Sequence, residues 1–126
     1  MANVLVVDDD EPTCRTLMRL VRMAGHAADC VLEALKALDV VRTTAPDLVI
    51  LDVNMPGMSG IELLERIKSD PATAAIPVVM FSAANDATAE REARARGAID
   101  FWLKASIHFK EIETRINAFV GGQRAN

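Results

Sequence analysis

The stretch LVILDVNMPGMSG, residues 48–60, decides how the rest of the chain folds. Leu48 to Leu51 form an apolar run without the alternation of a half-buried strand, which predicts a strand buried on both faces. Such strands belong to parallel sheets covered by helices on either side. The run stops on one carboxylate, Asp52. Asn54-Met55-Pro56-Gly57 then makes a turn, Pro56 fixing φ and Gly57 permitting a positive value. Ser59 with Glu62 three positions later is a capping-box signature. It predicts an amphipathic helix through Ile61, Leu64 and Ile67, closed by Asp70-Pro71.

Outward from this segment the same alternation repeats. Val4 to Val7 is a short apolar strand, followed by Asp8, Asp9, Asp10, Glu11 and Pro12, with Pro12 placed for the first turn of a helix. Leu17, Leu20, Val21 and Ala24 give that helix its buried face, and Gly25 supplies a left-handed cap. Ala27 to Val31 is a weaker strand, with Asp29 suggesting a sheet edge. Ala34, Leu35, Leu38 and Val41 mark a second helix, broken at Ala45-Pro46-Asp47. Ile76 to Phe81 is a further strand ending on Ser82, and a helix from about Asp86 stops at Gly97. Phe101 to Leu103 is the last strand, ending on Lys104. A final helix carries Phe109, Ile112, Ile116 and Phe119 inward and is expected to end at Gly121-Gly122.

Five strands alternating with five helices predict an α/β domain with a doubly wound parallel sheet. At 126 residues, 51% hydrophobic and 25% charged, the chain has the size and composition of one compact domain. We divide it into a domain over residues 1–120 and a polar tail over 121–126. The net charge of -4 argues against a direct nucleic-acid partner, because phosphate binding needs clustered cations. Cys14 and Cys30 have neither metal-ligand spacing nor a disulfide framework and read as small core or near-core residues of a protein in a reducing compartment. No apolar run reaches the roughly 18 residues of a membrane span, so a soluble, cytoplasmic protein without a membrane partner is expected. His26 and His108 read as surface residues. Arg91, Arg94 and Arg96, interleaved with Glu90 and Glu92, read as a solvated helix face.

The strand ends carry the chemistry. Ligands of open parallel sheets sit outside the carboxyl ends of the strands, and four of the five strands finish there on Asp8 and Asp9, on Asp52, on Ser82 and on Lys104. If those strands are neighbours, three carboxylates, a hydroxyl and an ammonium share one pocket. Two carboxylates about 4 to 5 Å apart repel by roughly 3 to 4 kcal/mol at an effective dielectric near 20, so the cluster needs cations. Lys104 is one. Three acids in an oxygen-rich pocket suit a hard divalent ion, Mg²⁺ with Mn²⁺ as its substitute. A carboxylate beside Mg²⁺ and Lys can attack a phosphoryl group, which makes Asp52 an aspartyl-phosphate candidate.

VVDDDE at the first strand, LDVNMPGMSG at the third, FSA at the fourth and the Lys of the fifth resemble the receiver domain of bacterial two-component response regulators over essentially the whole chain. The resemblance implies a flavodoxin-like fold with strand order 2-1-3-4-5. It also implies a phosphoryl group accepted by Asp52 from a sensor histidine kinase or a histidine phosphotransfer protein. Asp8, Asp9, Asp52 and the backbone carbonyl of Asn54 would surround Mg²⁺, and Ser82 and Lys104 would bind phosphoryl oxygens. Phe101 matches the family's aromatic switch position, whose ring turns inward as the Ser82 loop moves. The face around the fourth helix, fifth strand and fifth helix would change its affinity for a downstream protein or output domain. Asn54 and Ala84 flank the pocket and could set phosphate lifetime.

Two departures stand out. Lys104 is followed by Ala105 where the family has Pro, often after a cis bond; a non-proline cis bond costs about 3 kcal/mol, which favours trans here. Glu33-Ala34 replaces the family's Asp-Gly turn. The rival from another class is a small Mg²⁺-dependent phosphohydrolase of the haloacid-dehalogenase type, with Asp8 and Asp10 as its nucleophile loop. A receiver working through unphosphorylated contacts is a third reading.

Overall fold

The structure, a computed structural model, describes the backbone of residues 2–104 and 108–124 and side chains as far as Phe119. The Lys104–Ala105 bond and the last two residues of the expected tail lie outside the described residues. The elements run β1 (Asn3–Val7), α1 (Glu11–Met23), β2 (Ala27–Val31), α2 (Ala34–Thr44), β3 (Leu48–Asp52), α3 (Gly60–Ser69), β4 (Val78–Ser82), α4 (Ala87–Ala95), β5 (Asp100–Leu103) and α5 (Phe109–Arg124). All strand pairs are parallel, in the order β2-β1-β3-β4-β5. The doubly wound sheet expected from the alternation is therefore present, with β2, the strand interrupted by Asp29, at an edge.

Alternation along the strands splits the core into two layers. Leu5, Val7, Val49, Leu51, Val78, Met80 and Phe101 face α2, α3 and α4, meeting Leu38, Val41, Leu63, Leu64, Ile67 and Ala93. Val4, Val6, Leu48, Ile50, Val79, Phe81 and Trp102 face α1 and α5, meeting Leu17, Val21, Ile112 and Ile116. Each fully buried aliphatic side chain contributes about 1.5–3 kcal/mol, so both layers are needed. In the second layer Cys14 and Cys30, read as core or near-core residues with no disulfide framework, lie with their sulfurs against each other.

Local signals set the helix ends. The Asp10 carboxylate accepts from the Thr13 amide at 3.2 Å and from the Thr13 hydroxyl, capping α1. The Ser59 hydroxyl accepts from the Glu62 amide at 3.2 Å, and Asp86 accepts from the amides of Thr88 and Ala89.

Three expectations need correction. β4 begins at Val78 rather than Ile76, because the Ile76 amide donates to Thr73 in the preceding turn. α5 continues through Gly121-Gly122 to Arg124; glycine lowers helix propensity by about 1 kcal/mol but keeps its amide donor, so it weakens a helix without ending it. His26 is not a free surface residue: its Nδ1 accepts from the Ala2 amide at 3.1 Å and its Nε2 lies 2.9 Å from Asn117 Oδ1, joining the start of β1 to α5.

Candidate functional site

Register brings the strand ends level. Val7 pairs with Leu51, Asp52 with Phe81 and Ser82 with Leu103, so the residues at 8, 52, 82 and 104 emerge along one edge. The chain reverses its lateral direction at β1, which has β2 on one side and β3 on the other. There the loops after β1 and β3 leave toward opposite faces and open a crevice.

Asp8 is buried and fixed twice by the backbone. Its amide donates to Val31 O at 3.1 Å, and its Oδ1 accepts from the Asp10 amide at 2.9 Å. Asp52 is also buried, and its Oδ1 accepts from the Asn54 amide at 3.4 Å. Asp9 is exposed at the rim. One carboxylate oxygen from each of Asp8, Asp9 and Asp52 lies within 4.8 Å of the other two. Lys104 reaches in from the end of β5: its Nζ is 2.7 Å from Asp8 Oδ2 and 3.3 Å from Asp52 Oδ1, and 5.5 Å from the centre of the Phe81 ring. The Lys104 amide donates to Ser82 O at 2.8 Å, tying β5 to β4 at the pocket.

One ammonium does not balance these acids. Burial and the neighbouring Asp8 charge push the Asp52 carboxyl up to about 7, against the opposing pull of Lys104. Burial alone would lower the Lys104 ammonium, but its bond to Asp8 and the Asp52 charge outweigh that and leave it raised. Asp8 Oδ2 is buried without a well-directed hydrogen bond, despite its short ion pair with Lys104. A buried acceptor lacking an aligned donor, among three converging carboxylates, fits a hard divalent cation.

The remaining expected residues surround this centre. The Ser82 hydroxyl is buried but faces its own loop, donating to Ala84 O at 2.9 Å and accepting from the Ala84 amide at 3.1 Å. The side chains of Asn54 and Ala84 are exposed at the pocket rim. Phe101 is already buried in the layer facing α4, so its ring is inward while Ser82 is still held by Ala84. Asp10 is not in the pocket; it is engaged in capping α1. A nucleophile loop built on Asp8 and Asp10 lacks its second carboxylate for that reason, and the haloacid-dehalogenase reading is set aside.

Three contributors escaped the sequence reading. Gly60 opens α3 so close to β3 that a Cβ there would enter the Asp52 carbonyl oxygen, while its amide donates to Val53 O at 2.8 Å. Phe81 supplies an aromatic face to Lys104, and the Val31 carbonyl anchors Asp8. A glycine immediately after an N-cap was the one available signal, since the first helical position does not otherwise need it.

The chain matches the family described as Response regulator receiver domain over residues 4–117. Response regulator PleD of Caulobacter vibrioides is 34% identical over 103 residues, covering 82% of this chain and 23% of that protein. Protein RcaC of Microchaete diplosiphon is 34% identical over 101 residues, covering 80% of this chain and 16% of that protein. The chain thus spans less than a quarter of these relatives. Among solved structures, the signal receiver domain of a DNA binding response regulator from Colwellia psychrerythraea 34H is 29% identical with a TM-score of 0.87, covering 94% of this chain and 98% of that one. A response regulator from Desulfuromonas acetoxidans is 28% identical with a TM-score of 0.84, covering 96% and 98%. With the family pattern matched from β1 well into α5, this chain belongs to the response regulator receiver domains, signalling modules of two-component systems.

Proposed function

We propose that Asp52 accepts a phosphoryl group from a phosphohistidine donor on a sensor kinase or phosphotransfer protein, and that this changes the partner affinity of the α4-β5-α5 face. The observation that carries the reading is the convergence of Asp8, Asp9 and Asp52 within 4.8 Å with Lys104 Nζ against two of them. In the reaction an Asp52 oxygen attacks phosphorus, the bond from phosphorus to the donor imidazole breaks, and the imidazole nitrogen keeps the electron pair and takes a proton. Lys104 offsets charge on the transferred oxygens. Asp8, Asp9, Asp52 and the Asn54 carbonyl would hold Mg²⁺, which supplies the further positive charge that phosphoryl transfer requires.

The product carries close to two negative charges and three strong acceptors. Those acceptors compete with the Ala84 carbonyl for the one hydrogen of the Ser82 hydroxyl, so Ser82 must give up its donation to Ala84 O to reach them. Because Phe101 is already inward, the change is driven at the Ser82 loop. On the same face, at the amino end of β5, polar contacts join the strand to both flanking helices: Asp100 pairs with Arg94 at 3.2 Å and Arg115 at 3.9 Å and accepts from the Trp102 indole at 2.8 Å. A shift of β5 would rearrange all three. Asn54 and Ala84, at the rim, govern how water approaches the acyl phosphate and hence its lifetime.

The test is incubation with acetyl phosphate with and without Mg²⁺, followed by mass mapping. The expected result is one phosphoryl group on Asp52, dependent on Mg²⁺ and absent in Asp52→Asn. Labelling elsewhere, or none with the folded protein and Mg²⁺, would overturn the proposal; the latter outcome is the one a receiver working unphosphorylated would give.

A further inference from the structure

We propose that Cys14 and Cys30 are a thiol oxidation site, forming a reversible intramolecular disulfide that fastens α1 to the edge strand β2 beside the acidic pocket. The geometry is already suitable. The two Cα atoms are 5.9 Å apart, inside the 4.4–6.8 Å range that disulfides span, so closing the bridge requires no backbone rearrangement. Both side chains belong to the layer between the sheet and α1: Cys30 shares its strand face with Ala28, and Cys14 sits one turn into the helix that Asp10 caps.

Burial assigns the order of events. Cys14 is fully buried, whereas Cys30 is partly exposed on a strand with a neighbour on one side only. A low-molecular-weight disulfide of the glutathione class can therefore reach Cys30 and not Cys14. The Cys30 thiolate attacks that disulfide, forming a mixed disulfide and expelling one small thiolate. The Cys14 thiolate then attacks the Cys30 sulfur and expels the second. The two protein thiols lose two protons and two electrons, and the small disulfide becomes two thiols; a high concentration of the small thiol reverses both steps.

The bridge has a structural consequence at the pocket. Cys14 Sγ lies 3.5 Å from Val6 O and 3.8 Å from Val31 O, and Val31 O also accepts the Asp8 amide at 3.1 Å. Oxidation removes the thiol hydrogen that competes for this carbonyl and pins the strand end that orients Asp8. The proposal does not depend on phosphoryl transfer, because its readout is thiol chemistry.

The full chain would be equilibrated in buffers of varied oxidised and reduced glutathione, quenched in acid, alkylated with a maleimide and mapped by mass spectrometry. Expected is a monomer two hydrogens lighter, carrying no maleimide, with Cys14 and Cys30 in one linked peptide. Its folding equilibrium constant should rise about a hundredfold on oxidation, the effect of closing a loop of this length, and its Asp8 amide should exchange more slowly than in the reduced protein. Cys14→Ala should accumulate a glutathione adduct on Cys30, while Cys30→Ala should leave Cys14 unmodified in the native state. Cys30→Ala, at the partly exposed position, keeps the order of events testable if Cys14→Ala does not fold. A stable glutathione adduct on the unsubstituted protein, disulfide-linked dimers, or two maleimides taken up after oxidation would each overturn the proposal.

Discussion

Lys68 and Lys104 stand at opposite ends of one sheet, both partly buried, and they settle their charge in different ways. Lys68, near the end of α3, donates to the carbonyls of Ala74 at 3.1 Å and Ile76 at 2.6 Å; burial lowers its pKa. Beside it the buried Thr73 hydroxyl donates to Ile67 O at 2.7 Å. Lys104 faces carboxylates, and its pKa is raised despite burial. At the amino edge Lys68 is satisfied by neutral backbone carbonyls and holds the loop into β4. The carboxyl edge gathers more negative charge than its one ammonium balances, which leaves it responsive to an arriving cation. One edge is organised for stability and the other for chemistry.

The sharpest way to break this contrast is at Gly60. Gly60→Ala drives a methyl group into the Asp52 carbonyl, and we expect a stability loss of about 4 kcal/mol, the upper range for overpacking against backbone, read as a drop in the urea midpoint. Relief of the acid cluster should act in the other direction. Without divalent ions, the Asp52 carboxyl titrates at about 7 in the fold against an ordinary 3.8. Its favourable contribution is therefore complete below 3.8 and lost as pH rises from there to about 7. Asp52→Asn should raise stability at pH 8 by about 3 kcal/mol, leave it nearly unchanged at pH 3.5, and abolish any stabilisation by millimolar Mg²⁺ of the unsubstituted protein.

Smaller effects sharpen the comparison of the two lysines. Lys104→Met removes the cation between Asp8 and Asp52, at an expected cost of about 2 kcal/mol at neutral pH, and should move the Asp52 titration above 7 by carbon-detected NMR. Lys68→Met should cost roughly 1 kcal/mol and leave that titration in place. The lysines also differ in sign at alkaline pH. The Lys104 contribution is present below 10.5 and lost as pH rises through its raised pKa. The penalty at Lys68 is present below its lowered pKa and relieved as pH climbs toward 10.5. Following each ε-carbon through an alkaline titration would show the two midpoints on either side of 10.5.

The fold was legible because burial on both faces leaves strands without alternation, and nothing else in this chain competes with that pattern. Asp8, Asp52, Ser82 and Lys104 could be grouped from sequence because each follows such a strand, and parallel register then aligns them. Adjacent acids were harder to separate. Asp8 and Asp9 reach the pocket while Asp10 turns to the helix, a division set by where the backbone leaves its extended form. Gly60, the His26 bridge and the meeting of Cys14 with Cys30 depend on distances between elements, which periodicity does not encode. The inward Phe101 ring was hidden for a similar reason, since the resemblance describes a movement and not its starting point.

Phe101 and Trp102 are consecutive, yet one is embedded beneath α4 and the other beneath α5. β5 therefore behaves as an axle seated in two bearings: it cannot slide or rotate within one helical layer without disturbing its mate in the other. A tug on the ammonium at the end of this strand would be delivered simultaneously to both sides of the protein, with no relay of intermediate residues required.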